Sequence, residues 1–260
     1  MPISFLDRPT TYPSYEDLPK VPRLGPDPCP FTRLVIGLEG SLCTAVSVMN
    51  EERDPDAPWE PYCEESEHGL VFHPISQDLL CDDQPISSIQ TKVGHLSRWE
   101  QAWLMVFDDC NPRPPGDGVH TIWAPPREGE EPDDDKTGLS LMYAAGEHRP
   151  PNYDKPLVVK AQDKAYLTVH EYLTVIRPYL ITRRQDILGS LIISTQYDPS
   201  LPADTKLIAS GFGETLTVET EEKWMGHARG RKIMWENLND PKYAPGFAIE
   251  YDPEVFKLFV

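Results

Sequence analysis

The sequence predicts an α+β protein: a mixed or antiparallel sheet of short strands, two to four helices, proline-rich loops and an extended N-terminal arm. Three observations carry that expectation. Short apolar runs rich in β-branched residues recur between turn signals, the pattern of short strands. Two capping boxes, Ser97-Arg-Trp-Glu100 and Thr168-Val-His-Glu171, stand before or within apolar positions at helical spacing. The chain also holds 28 prolines in 260 residues, about twice the usual share. Proline fixes φ and lacks an amide proton, which favours brief elements and long ordered loops over a helical bundle.

The elements follow in order. Residues 1–30 carry eight prolines and no sustained period, so they read as an arm with polyproline II character. Within it, Tyr12, Tyr15 and Leu18 lie beside acidic residues. As an exposed peptide these three would dock a partner; as apolar anchors they would pin the arm to the chain's own surface. Residues 31–38 and 42–48 read as strands around Glu39-Gly40-Ser41, because a central glycine meets the positive-φ demand of a tight turn. Residues 51–67 read as a loop holding eight carboxylates, one arginine and three prolines. A short strand follows at 69–72.

The Ser97 box opens a helix at 98–107, with Trp99, Ala102, Trp103 and Val106 at helical intervals. A strand through 103–107 is the competing reading. Residues 111–118 form a rigid turn, and 119–123 and 139–143 read as strands around a second acidic loop at 124–136. A strand at 157–159 precedes the Thr168 box, which opens an amphipathic helix that Pro178 should kink or end. Residues 184–194 are helical by length and apolar content despite Gly189. A second hairpin, 206–210 and 215–219, turns at Gly211-Phe212-Gly213. Thr220 caps a helix running to about Leu238, and 247–251 and 255–260 read as closing strands. The expected organisation is the arm, 1–30, then one α+β domain, 31–260, with a boundary near 150 as the alternative.

Charge is unevenly placed. The net charge is −18; residues 31–150 carry 23 acidic and 8 basic side chains, against 15 and 13 in residues 151–260. Such a first half repels phosphate backbones and anionic membranes, so a basic protein surface is its natural complement and nucleic acid is disfavoured. Simple solubility is the plainer reading of the same carboxylates. No apolar run approaches the ~20 residues needed to span a bilayer, and the N-terminus lacks the basic and apolar regions of a secretory leader. The cysteines Cys29, Cys43, Cys63, Cys81 and Cys110 are odd in number and irregular in spacing. That is a poor disulfide framework and fits a reducing compartment, cytoplasmic or nuclear.

Four constellations could carry chemistry. Cys63, His68, His73 and Cys81 have the side chains of a tetrahedral zinc site, although His68 and His73 would face opposite ways on one strand. Asp108 and Asp109, with Asp117 and His120 close by, would suit Mg²⁺ or general-base work at a strand end. Residues 34–41 followed by 44–48 resemble the first phosphate hairpin of the actin and heat-shock-chaperone superfamily of sugar-kinase-like ATPases. That resemblance implies backbone amides set against nucleotide phosphates, with Gly211-Phe212-Gly213-Glu214 as the partner turn; a plain structural hairpin is the alternative. His227, Arg229, Arg231 and Lys232, flanked by Trp224 and Trp235, could grip phosphate or answer the chain's own acidic loops. No Walker, G-x-S-x-G, H-E-x-x-H or G-x-G-x-x-G sequence occurs. The expectation is therefore a non-catalytic interaction or regulatory module with no cofactor. The alternatives are a hydrolase or transferase using Cys63, His68, Asp108, Asp109 or His120, and a small-ligand or metal-binding module.

Overall fold

The structure, a computed structural model, describes residues 12–18, 30–80, 84–107, 121–130, 138–144, 146–195 and 201–239, and the side chains of all but 193–195 and 235–239. Its strands are β1 (Leu34–Gly37), β2 (Val46–Met49), β3 (Trp59–Pro61), β4 (Cys63–Ser66), β5 (Gly69–Phe72), β6 (Ser88–Val93), β7 (Thr121–Ala124), β8 (Ser140–Ala144), β9 (Glu147–His148), β10 (Leu157–Lys160), β11 (Leu207–Ser210) and β12 (Thr215–Thr220). Its helices are α1 (Leu42–Ala45), α2 (Gly94–Phe107), α3 (Val169–Thr182), α4 (Arg184–Thr195) and α5 (Glu221–Asn239). The α+β class holds. Four long helices match the expected number, and the four-residue α1 is an addition.

Seven strands form the central sheet in the order β10-β6-β12-β11-β1-β2-β3. All neighbours are antiparallel except β12 and β6, which run parallel through Thr215↔Lys92 and Leu216↔Val93. Strands from either side of residue 150 thus share one sheet. The period-two alternation of the sequence decides what each face buries. Leu34, Ile36, Leu207 and Ala209 join the main core with Tyr172, Leu173, Ile176, Leu180 and Ile187 of α3 and α4. Val35, Met49 and Ile208 point the other way, onto Trp224 and Ala228 of α5. Helices therefore cover both sheet faces, which is why β1 is apolar at consecutive positions. A smaller sheet, β7-β8-β9, packs Leu141 and Ala144 on Trp103 of α2.

Local hydrogen bonding accounts for the departures from expectation. The strand expected at 42–48 begins only at Val46. Ser41 N donates to Thr44 Oγ1 at 2.9 Å and Ala45 N to Ser41 O at 2.9 Å, winding 42–45 into α1 instead. The loop expected at 51–67 contains β3 and β4. The helix expected at 98–107 starts at Gly94; Ser97 is not its cap but sits in its first turn, its hydroxyl donating to Gly94 O at 3.1 Å. Pro178 does not end α3, which runs on to Thr182. It lies on the exposed face, where water can reach the Thr174 carbonyl that it leaves without an amide donor. The expected turn at 111–118 and closing strands at 247–251 and 255–260 lie outside the described residues. No described helix is long and apolar enough to cross a membrane.

The arm meets the sheet. Ser87 N donates to Pro13 O at 2.8 Å, Ser14 bridges Ser88 in parallel, and the Glu16 carboxylate accepts from Gln90 N at 2.5 Å. This segment occupies the flank of β6 that β12, paired only at Lys92 and Val93, leaves open. Tyr15 packs edge-on to Phe212 at 5.4 Å, Tyr12 lies 6.2 Å from the Tyr166 ring, and Leu18 packs on the main core. These contacts set the three side chains against the chain's own surface.

Two substitutions test the packing and capping. A Cβ at Gly189 would lie 2.7 Å from the Trp99 ring, so the glycine lets α2 and α4 approach. Gly189→Ala should therefore destabilise the fold by about 2 kcal/mol in urea unfolding, although alanine is the better helix former. At the Thr168 cap, burial acts to raise the pKa of Glu171, but amides of Gln162, Asp163 and Thr168 and the Thr168 hydroxyl donate to its carboxylate and hold the pKa below 4.5. A depressed carboxyl pKa contributes stability that is present above the unfolded value and lost as pH falls through the folded one. Glu171→Gln should lower stability at pH 7 by about 1–2 kcal/mol and weaken its decline on the acid side of pH 4.5, as read by melts across pH.

Candidate functional site

The acidic run at 51–67 divides into two parts with different surroundings. In the first, Arg229 on α5 reaches both Asp56 oxygens, with its closest contact at 2.6 Å, and Lys232 bonds Asp54. The Lys232 ammonium beside Asp54 and the Arg229 guanidinium beside Asp56 hold both carboxyls below the usual carboxylate range. The basic cluster foreseen on this helix thus answers the chain's own acidic loop, with His227 Nδ1 also 2.6 Å from Glu219 Oε1.

The second part forms a projecting hairpin. Among the described residues β4 and β5 pair only with each other, in register Cys63↔Phe72, Glu64↔Val71, Glu65↔Leu70 and Ser66↔Gly69. Gly69 adopts φ +112°, which a side chain would strain, and Ser66 Oγ donates to Gly69 O at 2.7 Å to close the turn. The base is held from several directions. Tyr62 N donates to Val46 O and His73 N to Tyr62 O. Cys63 is joined by a disulfide to Cys43 on α1. Phe72 packs on the His170 ring at 4.5 Å, and the Tyr62 hydroxyl lies 3.2 Å from His170 Nδ1. Tyr62 is fully buried, and desolvation pushes its phenol far above the ordinary tyrosine value.

Beyond this base the hairpin is open. Leu70 and Val71 are 51 % and 58 % exposed. Glu64, Glu65 and Glu67 are exposed as well, and among the described residues no cationic side chain pairs with them. Cross-strand neighbours alternate carboxylate with aliphatic, and successive pairs face opposite sides. Each side of the hairpin therefore offers one glutamate against one apolar side chain.

The zinc expectation is corrected. Cys63 is oxidised, His68 stands at the exposed turn, and His73 accepts from Ile75 N through Nδ1 at 3.1 Å. Among the described residues no group of three or more ligand side chains could hold a metal ion. The reading of the cysteines as a poor disulfide framework did not foresee this one bond; Cys29, Cys81 and Cys110 lie outside the described residues. So do Asp108, Asp109, Asp117 and His120. Of the proposed catalytic set, Cys63 has no thiolate while the bond is intact.

The supposed phosphate hairpin is filled by the protein itself. Arg177 donates to Gly37 O, Leu38 O and Gly40 O, and Glu39 accepts from Arg184 and from Leu207 N. The turn thus presents carbonyls to a resident guanidinium. A hollow of about 710 Å³ lies at the start of α5 and is lined by His227, Lys206 and Glu221 among others. Glu219 orients this imidazole, but among the described residues no nucleophile bonds to it.

Sequence reasoning missed the Cys43–Cys63 pair and the supporting His170, for which no spacing motif exists. Arg177 did leave a signal, as a cation on the apolar face of the α3 sequence. No family model matches the chain, and neither a curated protein nor a solved structure does. The disulfide yields a direct check. Two of the five cysteines are joined, so denatured, unreduced protein should titrate no more than three thiols per chain. Closing a loop of this length contributes about 3 kcal/mol, so reduction should lower the melting temperature.

Proposed function

We propose that this chain is a non-catalytic protein-interaction or regulatory module whose β4–β5 hairpin engages a basic partner surface. The observation that supports the reading best is the exposure of Leu70 and Val71 directly opposite Glu65 and Glu64 on a hairpin anchored at its base. Apolar side chains provide the area that association removes from water. The adjacent carboxylates steer a cationic face and repel an anionic one. They also discourage the hairpin's open edges from pairing with copies of itself, since like charges would meet. A nucleic acid would bring phosphate toward the same carboxylates, so the partner is a basic protein.

The test is affinity purification from the native cell with identification of co-purifying proteins, using wild type, Leu70→Ser/Val71→Ser and Glu64→Lys/Glu65→Lys. A basic protein should be retained by wild type and lost by about tenfold with either pair of substitutions, roughly 1.4 kcal/mol. Its retention should fall with salt for wild type. An identical set of co-purifying proteins for all three forms would sink the proposal.

A further inference from the structure

We infer that the outer edge of β5 takes up an extended basic segment of the partner as a third strand, with lysine or arginine at two adjacent positions of that segment reaching Glu64 and Glu65 over Val71 and Leu70. The inference rests on the reading of the β4–β5 hairpin as the contact surface and adds how the contact is made. In an antiparallel ladder, pairs that exchange both backbone bonds alternate with pairs that exchange none. His73 N donates to Tyr62 O, one step before the pair Cys63↔Phe72. Glu64 and Val71, like Ser66 and Gly69, therefore turn their amides and carbonyls toward each other. Those of Cys63 and Glu65 on β4, and of Leu70 and Phe72 on β5, point out of the two-stranded sheet. Among the described residues no further strand lies beside them.

The two edges are not equivalent. Cys63 is buried, so on β4 only Glu65 offers outward backbone groups that a partner can reach. Along β5, Gly69, Leu70 and Val71 are exposed in succession. This edge carries none of the charge, proline or bulge that blocks unwanted strand pairing. An incoming strand gains main-chain bonds at Leu70 and Phe72, and its side chains alternate between the two faces. On one face Val71 separates it from Glu64, and on the other Leu70 separates it from Glu65. Two strand spacings amount to roughly 10 Å. A lysine or arginine crosses that gap by laying its apolar stem over the aliphatic side chain and its charged head on the carboxylate. Adjacent residues of a strand face opposite sides, so two neighbouring basic residues answer both glutamates. An acidic strand would meet repulsion on both faces.

Intact protein should be titrated with a capped peptide, Thr-Val-Lys-Lys-Val-Thr, with its Glu-Glu counterpart, and with a Lys-Lys version whose valines are prolines. Calorimetry gives affinity and amide exchange by NMR gives the place of contact. The first peptide should bind saturably with a Kd at or below about 1 mM, and the other two at least about tenfold more weakly. Binding should slow exchange of the Leu70 and Phe72 amides and leave that of Val71, already within the ladder, unchanged. Leu70→Pro removes the outward amide but keeps an apolar side chain and the inward bonds. It should weaken the peptide by about tenfold, and Leu70→Ala by less than about threefold. Continued protection of the Val71 amide reports an intact hairpin in both variants, and the peptide comparison needs neither. Equal binding of the proline peptide, equal affinities of Leu70→Pro and Leu70→Ala, or no saturable binding up to about 10 mM would overturn the inference. The hairpin would remain the contact surface in that case if Leu70→Ser/Val71→Ser and Glu64→Lys/Glu65→Lys still lost the co-purified protein. A dimer that Leu70→Pro abolishes would assign the edge to a second copy, against the inference.

Discussion

The Arg177 guanidinium ties the molecule together. It is buried beneath the turn after β1 and donates to three successive-turn carbonyls, those of Gly37, Leu38 and Gly40. Desolvation lowers its proton affinity, while Glu39 nearby acts in the opposite direction. Among the described residues no carboxylate bonds to it directly; oriented backbone dipoles satisfy the cation instead, which relieves the penalty of a buried charge. Through those bonds α3 is fixed to the C-terminal end of β1. Glu39, in the same turn, then reaches Arg184 at the start of α4 and the amide of Leu207 in β11. Two helices and two strands share one polar junction, and the apolar layers on either side take their register from it.

Much of the fold was legible because it rests on local periodicity. The Thr168 box, the α5 start at Thr220 and the hairpin at Gly211 and Gly213 follow from interactions within a few residues. The errors arise where a distant group decides the outcome. Ser97 satisfies a capping pattern, but Gly94 O is already available to its hydroxyl, so the helix begins earlier. Cys43 and Cys63 stand in separate elements, and only the return of β4 beside α1 brings them together. The hairpin site was half visible: its acidity was plain, but its strands were hidden by the prolines and charges that surround them. Nothing local reveals that Asp54 and Asp56 are claimed by α5 while Glu64 and Glu65 are left to solvent.

That division gives the acidic surplus a physical meaning. Carboxylates matched by Arg229 and Lys232 tie the loop after β2 to α5, weakly where the pair is open to solvent. Those on the hairpin have no such role in the described structure, and they accompany aliphatic side chains that water disfavours. The combination separates a surface kept soluble by charge from one that also has something to gain by being covered.

The placement of the arm has a consequence for biosynthesis. Residues 13–16 lie against 87–90, whose strand is completed only by 157–160 and by 215–216. Residues 13–16, made well before β12, are thus seated on a strand that cannot be finished until β12 appears. Contacts so distant in sequence slow the search for the native pairing. The nascent polypeptide must therefore carry an incomplete β6 flank from the synthesis of residues 88–93 until that of residues 215–220.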